Sequence, residues 1–482
     1  MKILIASPEA VPYAKTGGLA DVAGSLVKEY KAMKKEAYII LPLYRKVREG
    51  NIPLKNTNLK IKVPVGDRLV KGEIFSSQPL AYFIRCDEFF DREELYGTPR
   101  GDFFDNASRF VFFSRGVLEA CRALNFRPDI IHCNDWQTSL TPLYLKKLYK
   151  GDNFFKNTST LLTIHNLGYQ GLFPASEMPL TGLEWDLFNP EGIEFYGKVN
   201  FLKAGLISAD VLTTVSSSYA KEILREEFGF GLEGVLQKRE KDIYGVINGI
   251  DYDEWTPSKD VHIPEKFNSG DLHGKNECKK YLVKEAYLDR TDRPLVGMVG
   301  RLSAQKGVDL VLQSMEEFMS LGINLIILGK GDEEFQVGFT AAAKKYGKRI
   351  SVTIGFEEPL AHRIYAGSDF FLIPSRYEPC GLGQLISMRY GSIPVGRSTG
   401  GLADTIQDFN PLTSKGTGFL FSDYTPSALQ DAIKRALCVY TDVDKLNKMI
   451  INAMNMDFSW KRSAEKYFEL YKYAMEKTQG KA

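Results

Sequence analysis

Apolar residues arrive in short runs, separated by stretches whose apolar positions recur every three or four residues. The runs at Lys2–Ser7, Ala37–Leu41, Asp129–His132, Thr160–Ile164 and Val211–Val215 predict strands. Helical spacing appears near Leu19–Lys31 and at Arg109–Leu124. Strands alternating with helices imply parallel βαβ units. From about Asn58 to Cys86 the pattern is β-rich with few helix signals, which predicts an antiparallel hairpin insertion.

The second half is more regular. Strand runs fall at Leu295–Val299, Asn324–Leu328, Ile350–Ile354, Phe370–Ile373 and Ile393–Val395, with helices expected at Val308–Leu321 and Glu333–Tyr346 and Gly322 as a stop. Five such strands with crossovers make a doubly wound domain. The run Ile243–Ile247 ends in turn residues at Asn248-Gly249-Ile250-Asp251, and Trp460–Lys477 forms a last amphipathic helix with no strand after it. The expected division is therefore an N-terminal domain over 1–247, a C-terminal domain over 248–456 and a terminal segment over 457–482.

Length agrees with two domains, because 482 residues exceed the roughly 250–300 at which single cores stop growing. Lys and Arg number 62 against 60 for Asp and Glu. So balanced a chain has no global field for nucleic acid or an anionic membrane, and neither is expected as a partner. The first apolar run is too short for a secretory signal, and no stretch approaches the roughly 18 apolar residues of a spanning helix. Six scattered cysteines without a CxxC pair suit reduced thiols and a cytoplasmic location.

In open α/β sheets ligands bind beyond the carboxyl ends of strands. Arg301 and Lys306 follow the first strand of the second half, Gly355-Phe356 the third, and Pro374 through Gly383 the fourth, with Thr399-Gly400-Gly401 past the fifth. Arg301 and Lys306 can both reach one diphosphate, Arg as a fork and Lys as a point charge; the plainer reading is two solvated basic residues. Glu378, ahead of Pro379 and Cys380-Gly381-Leu382-Gly383, can hold sugar hydroxyls with the following amides, or simply serve a helix dipole. Cys380 reads as a packed small side chain, and Phe356 as a base-stacking ring or core.

In the first half, Lys15-Thr16-Gly17-Gly18 joins strand to helix, where glycine amides and a helix N-terminus suit an anion or merely make a turn. It matches neither GxGxxG nor a GK[ST] loop. His165 and Asn166 end one strand and Asp135 another; alone, His165 reads equally as a hydrogen-bonded core residue. Asp251-Tyr252-Asp253 reads as turn chemistry. Five histidines without HExxH leave a metal site unsupported, and none is expected.

Together these residues resemble the bacterial glycogen synthase and plant starch synthase family. The resemblance rests on Lys15–Asp21, His132-Cys-Asn-Asp135-Trp136-Gln, Thr163-Ile-His165-Asn166, Asn248-Gly-Ile-Asp251, Gly300-Arg301 through Lys306-Gly307, Glu378-Pro-Cys-Gly-Leu and Thr399-Gly-Gly-Leu-Ala-Asp404, in family order over nearly the whole chain. It implies an α/β GT-B fold, two Rossmann-like domains facing a deep cleft, with the C-terminal helix returning to the first. It implies retaining transfer of glucose from ADP-glucose to the non-reducing 4-OH of an α-1,4-glucan, with no cofactor and no metal. By analogy Lys15, Gly17, Gly18, Arg301 and Lys306 would bind the diphosphate, and Glu378 with the backbone of Cys380, Gly381, Leu382 and Gly383 the glucose. His165, Asn166 and Asp135 would close the sugar site, and Phe356 would lie against the base. Two departures stand out. Gly383 replaces the threonine of many members. Ile386 stands where a related branch, including sucrose synthase-like enzymes, carries a second glutamate.

Overall fold

A computed structural model describes residues 1–77, 80–98 and 100–480; Gln78 and Pro79 of the expected hairpin, Pro99, and the terminal Lys481 and Ala482 lie outside the described residues. The chain divides into two compact units. The first comprises residues 1–215, 220–246 and 460–482, and the second 216–219 and 247–459.

The first unit is built on a nine-stranded sheet. Its strands are β1 (Lys2–Ala6), β2 (Glu36–Pro42), β3 (Lys55–Val65), β4 (Arg68–Ser77), β5 (Ala81–Arg85), β6 (Ile130–Asn134), β7 (Ser159–Ile164), β8 (Val211–Thr214) and β9 (Ile243–Gly245), in the order β9-β8-β7-β6-β1-β2-β5-β4-β3. β6 and β7 are buried at every position, as expected of parallel strands covered on both faces. The expected hairpin insertion is corrected in part. β3 and β4 do pair antiparallel, but β5 pairs parallel with β2, so the β-rich segment extends the main sheet. The towards-solvent end of β3 alternates between exposed and covered residues, which signals a half-solvated edge and not a separate element.

Helix α1 (Gly18–Ala32) buries Leu19, Val22, Ala23, Leu26 and Tyr30, the three- and four-residue spacing that lays one face on the sheet. α2 (Asn106–Ala123) buries Phe110, Phe113, Val117 and Cys121 in the same way. The last helix, Trp460–Thr478, packs Ala464, Tyr467, Tyr471 and Ala474 into this unit. Its Tyr471 hydroxyl lies 2.7 Å from His132 Nδ1 on β6, and Tyr30 on α1 donates to Ala464 O.

The second unit carries six parallel strands: β10 (Leu295–Val299), β11 (Asn324–Gly329), β12 (Ile350–Ile354), β13 (Phe370–Ile373), β14 (Ile393–Arg397) and β15 (Phe419–Phe421), ordered β12-β11-β10-β13-β14-β15. Counted within the unit this is 3-2-1-4-5-6, the doubly wound order. β15 went unforeseen because three residues are too few to show a period. The helix expected over Val308–Leu321 is two helices, Val308–Gln313 and Met315–Ser320, divided at buried Ser314, whose φ −90° and ψ 0° lie at the edge of the right-handed helical region. Among the described residues, no helix is long and apolar enough to cross a membrane.

Candidate active site

The order 3-2-1-4-5-6 reverses direction between β10 and β13, and the carboxyl edge at such a reversal is where open α/β sheets take ligands. The loop after β10 carries Arg301 and Lys306, and the loop after β13 carries Glu378. Lys306 Nζ lies 2.6 Å from Glu378 Oε2, with the Glu378 side chain 6% exposed and Lys306 31% exposed. Ser375 Oγ donates to the same oxygen at 2.9 Å. An ammonium has three N–H donors, so Lys306 holds Glu378 with one and keeps two to offer. Arg301 is exposed on the same loop.

Backbone contacts lock these loops. Arg376 N–H donates to Gln305 O, and Gly401 N–H donates to Glu378 O at 3.0 Å. Two glycines permit this closeness. A Cβ on Gly307 (φ +70°) would stand 2.0 Å from Pro374 O, and one on Gly400 (φ +44°) 2.0 Å from Glu378 O. The Thr399-Gly400-Gly401 run therefore serves the position of Glu378.

Beyond Glu378, helix α3 (Gly383–Arg389) begins after Cys380-Gly381-Leu382. Cys380 is buried, and burial pushes its thiol up to about 12 against an opposing backbone hydrogen bond from Asn248, so it is no nucleophile. A Cβ on Gly383 would meet Phe371 at 3.3 Å and the Tyr365 hydroxyl at 3.6 Å, so a threonine here needs the Phe371 ring to shift. Phe356, after β12, is 77% exposed and presents an open ring face. Asp253 N–H donates to Asp251 Oδ1, so that motif is a side-chain-capped turn.

In the first unit the strand order reverses between β1 and β6, and the loops after them bring a second group together. Lys15 Nζ pairs with Asp21 Oδ1 at 2.8 Å, which ties the loop to the first turn of α1. Glu9 was missed in the sequence. It is buried, and its carboxylate accepts from Thr16 N–H, Thr16 Oγ1 (2.7 Å), Gly17 N–H (3.3 Å) and Tyr96 OH (2.6 Å). The Gly17 amide is thus turned to Glu9. A Cβ on Gly17 would meet nothing within 4 Å, so the space beside it is open, and Gly18 begins α1.

Asp135 sits at φ 54°, ψ −173°, a region that costs a non-glycine residue about 1–3 kcal/mol. Its Oδ1 accepts His165 N–H at 2.7 Å. Burial raises its carboxyl to about 7, opposed by the amides of His165 and Asn166 and assisted by the charge of Glu9. Near neutral pH it can therefore either donate or accept. His165 Nε2 lies 2.9 Å from Asn134 Oδ1, while Asn134 Nδ2 donates to Ala6 O and His132 O. Those two carbonyls fix the amide orientation, so His165 carries its proton on Nε2 and leaves Nδ1 an acceptor. Burial pushes His165 down to about 3, so the ring is neutral and offers a hydrogen bond without charge. Asn166 Oδ1 is engaged by Gly168 N–H.

His132, with Nε2 2.6 Å from Thr163 Oγ1, is likewise held neutral, pushed down to about 3 by burial and by the nearby His165 ring. The unfolded chain takes up these protons near pH 6.5, the folded one only near 3. The first unit therefore loses stability as pH falls through that window, by up to about 1.4 kcal/mol per pH unit per ring. Asp135 acts oppositely, keeping in the fold a proton that the unfolded chain sheds near pH 4, so its contribution fades as pH rises towards 7. We expect His132→Gln to flatten the acid limb of stability against pH in denaturant titrations. An unchanged slope below pH 6 would mean that His132 is charged in the fold.

Known proteins resemble the chain along its length. The family described as starch synthase catalytic domain matches residues 2–238, and that described as glycosyl transferases group 1 matches residues 282–456. A glycogen synthase from Thermodesulfovibrio yellowstonii is 45% identical, over 98% of this chain and 97% of its own. One from Syntrophotalea carbinolica is 45% identical over 99% of both. Among solved structures, the catalytic domain of starch synthase IV from Arabidopsis thaliana, bound to ADP and acarbose, aligns with a TM-score of 0.90 and 34% identity, over 98% of this chain and 99% of that one. A sucrose-phosphate synthase from Thermosynechococcus elongatus, at 18% identity and a TM-score of 0.62, shares the fold alone.

Proposed function

The chain belongs to the glycogen and starch synthase family of GT-B glycosyltransferases, and from that premise we propose that its donor is ADP-glucose and its acceptor the non-reducing 4-OH of an α-1,4-glucan. Glucosyl transfer in glycogen or starch synthesis is its activity, and a nucleotide sugar and a glucan are its substrates. The observation that carries the finer reading is the Lys306–Glu378 pair at the reversal point of the second sheet.

A departing nucleoside diphosphate carries roughly three negative charges, which cations and amides must meet as they develop. Arg301 and the two remaining N–H groups of Lys306 supply that, and Phe356 offers its face to the base. Glu378 and the amides from Cys380 to Gly383 take the glucose hydroxyls. In the first unit, Lys15 and the start of α1 at Gly18 are assigned to anion binding, with Gly17, whose amide is turned to Glu9, leaving open space for the ligand, and Asp135, His165 Nδ1 and Asn166 are assigned to sugar hydroxyls. Neither a cofactor nor a metal is assigned to the transfer, and the scattered, unpaired cysteines support a cytoplasmic location.

Retention by double displacement needs a free carboxylate nucleophile with a second carboxyl about 5 Å away. Glu378 Oε2 is already held by Lys306 and Ser375, which favours front-face departure, the leaving phosphate accepting the acceptor's proton. A covalent glucosyl–Glu378 adduct caught by mass spectrometry would overturn this. The function itself is tested by a donor screen with ADP-, UDP- and GDP-glucose, with and without glycogen primer. Primer-dependent ADP release at the highest kcat/KM is expected; preference for UDP-glucose sinks the donor assignment, and turnover without glucan sinks the acceptor.

A further inference from the structure

Three side chains of the second unit converge on a point that the reaction does not use. Helix α4 (Glu358–Gly367) begins with Glu358 and carries His362 one turn later on the same face. His262 reaches them from the loop ahead of His273–Glu285. One donor atom from each of His262, Glu358 and His362 lies within 4.8 Å of the other two.

The decisive member is His362, 1% exposed. Its Nδ1 is 2.7 Å from Asp260 Oδ2, which also accepts the Tyr390 hydroxyl at 2.5 Å, while Asp260 Oδ1 accepts the His262 amide at 2.8 Å. Trp255 stacks on the ring at 4.0 Å between centroids and 11° between planes, fixing its orientation. With its proton held on Nδ1 by the carboxylate, His362 turns an Nε2 lone pair towards His262 and Glu358. That Nε2 is buried and has no hydrogen-bond partner, a costly state for a polar atom. A carboxylate behind an imidazole whose far nitrogen is unused is how proteins orient a histidine for a metal.

We propose that His262, Glu358 and His362 bind a divalent transition metal of the zinc type. Two imidazoles and a carboxylate form a donor set that suits zinc and leave a fourth position for water. Bonds of about 2.0–2.2 Å put tetrahedral ligands roughly 3.3–3.6 Å apart, so the donors must draw in. Glu358, exposed, and His262, half-buried, are free to do so while His362 stays fixed. The bound metal staples the loop at 260–262 to the first turn of α4, two residues after Phe356. Sequence spacing could not reveal this set, because 95 residues lie between His262 and Glu358 along the chain.

The test uses the untagged full chain, stripped with a chelator and titrated with Zn²⁺ alone against a chromophoric competitor. One zinc per chain is expected, weakened tenfold or more by Glu358→Gln and by His262→Gln. Cobalt in its place is expected to give the visible absorption of a tetrahedral nitrogen–oxygen site without a thiolate band. Substoichiometric binding, affinity unchanged in both variants, or a thiolate band would each overturn the proposal. Both variants keep His362 in its packed position, so loss of binding is not loss of fold.

Discussion

Replacing Lys306 with alanine is expected to lower kcat by about 10²–10³, equivalent to roughly 2.7–4 kcal/mol of transition-state stabilisation, with little change in glucan affinity. The asymmetry follows from what the ammonium does. In the resting protein it neutralises Glu378 at 2.6 Å, and the charge it is proposed to meet appears only as the diphosphate leaves. Folding should suffer less, because Ser375 still donates to Glu378 Oε2 and Lys306 is partly exposed. Steady-state kinetics with ADP-glucose and varied glycogen measure both parameters. Unchanged kcat with weakened primer binding would return Lys306 to the role of a structural ion pair.

Gly400→Ala is expected to cost about 3 kcal/mol or more in the second unit and to reduce activity about a hundredfold. Its φ of +44° strains any other residue, and the new methyl would stand 2.0 Å from Glu378 O. Relief requires the Glu378 backbone to move, and a shift near 1 Å at a positioning residue is enough for a loss of about 10² in rate. For a unit of this size such a loss lowers Tm by about 6–12 °C. Gly17→Ala is the stability control, since Gly17 is extended and nothing lies within 4 Å of its added Cβ. Equal thermal unfolding for the two variants would remove the packing argument.

Strands and helices were legible where a segment's own residues carry the period. β10, β12 and β13 begin and end where their apolar runs do, and the helix at Glu333–Tyr346 likewise. Legibility failed where the deciding partner was remote. Glu9 carries no motif that marks it in the sequence. Its role depends on Tyr96, 87 residues away, whose phenol burial and the Glu9 charge push well above its usual range. His165 shows nothing of its tautomer in the sequence, because the amide that sets it belongs to Asn134, 31 residues before it. The Thr399-Gly400-Gly401 run suggested a ligand loop, whereas Gly400 makes room for the carbonyl of Glu378.

By itself, then, the order of residues determined the α/β class, the separate sheets, and the strand ends that bear Arg301, Lys306, Phe356 and Glu378. These follow from hydrophobic period and glycine punctuation, which act over a few residues. Only the tertiary structure decided that Lys306 meets Glu378 across 72 residues, that β5 continues the main sheet, and that His362 turns an unpaired nitrogen towards His262. The reason is that strand order and loop closure set such distances. No local pattern encodes which edge a distant loop will reach.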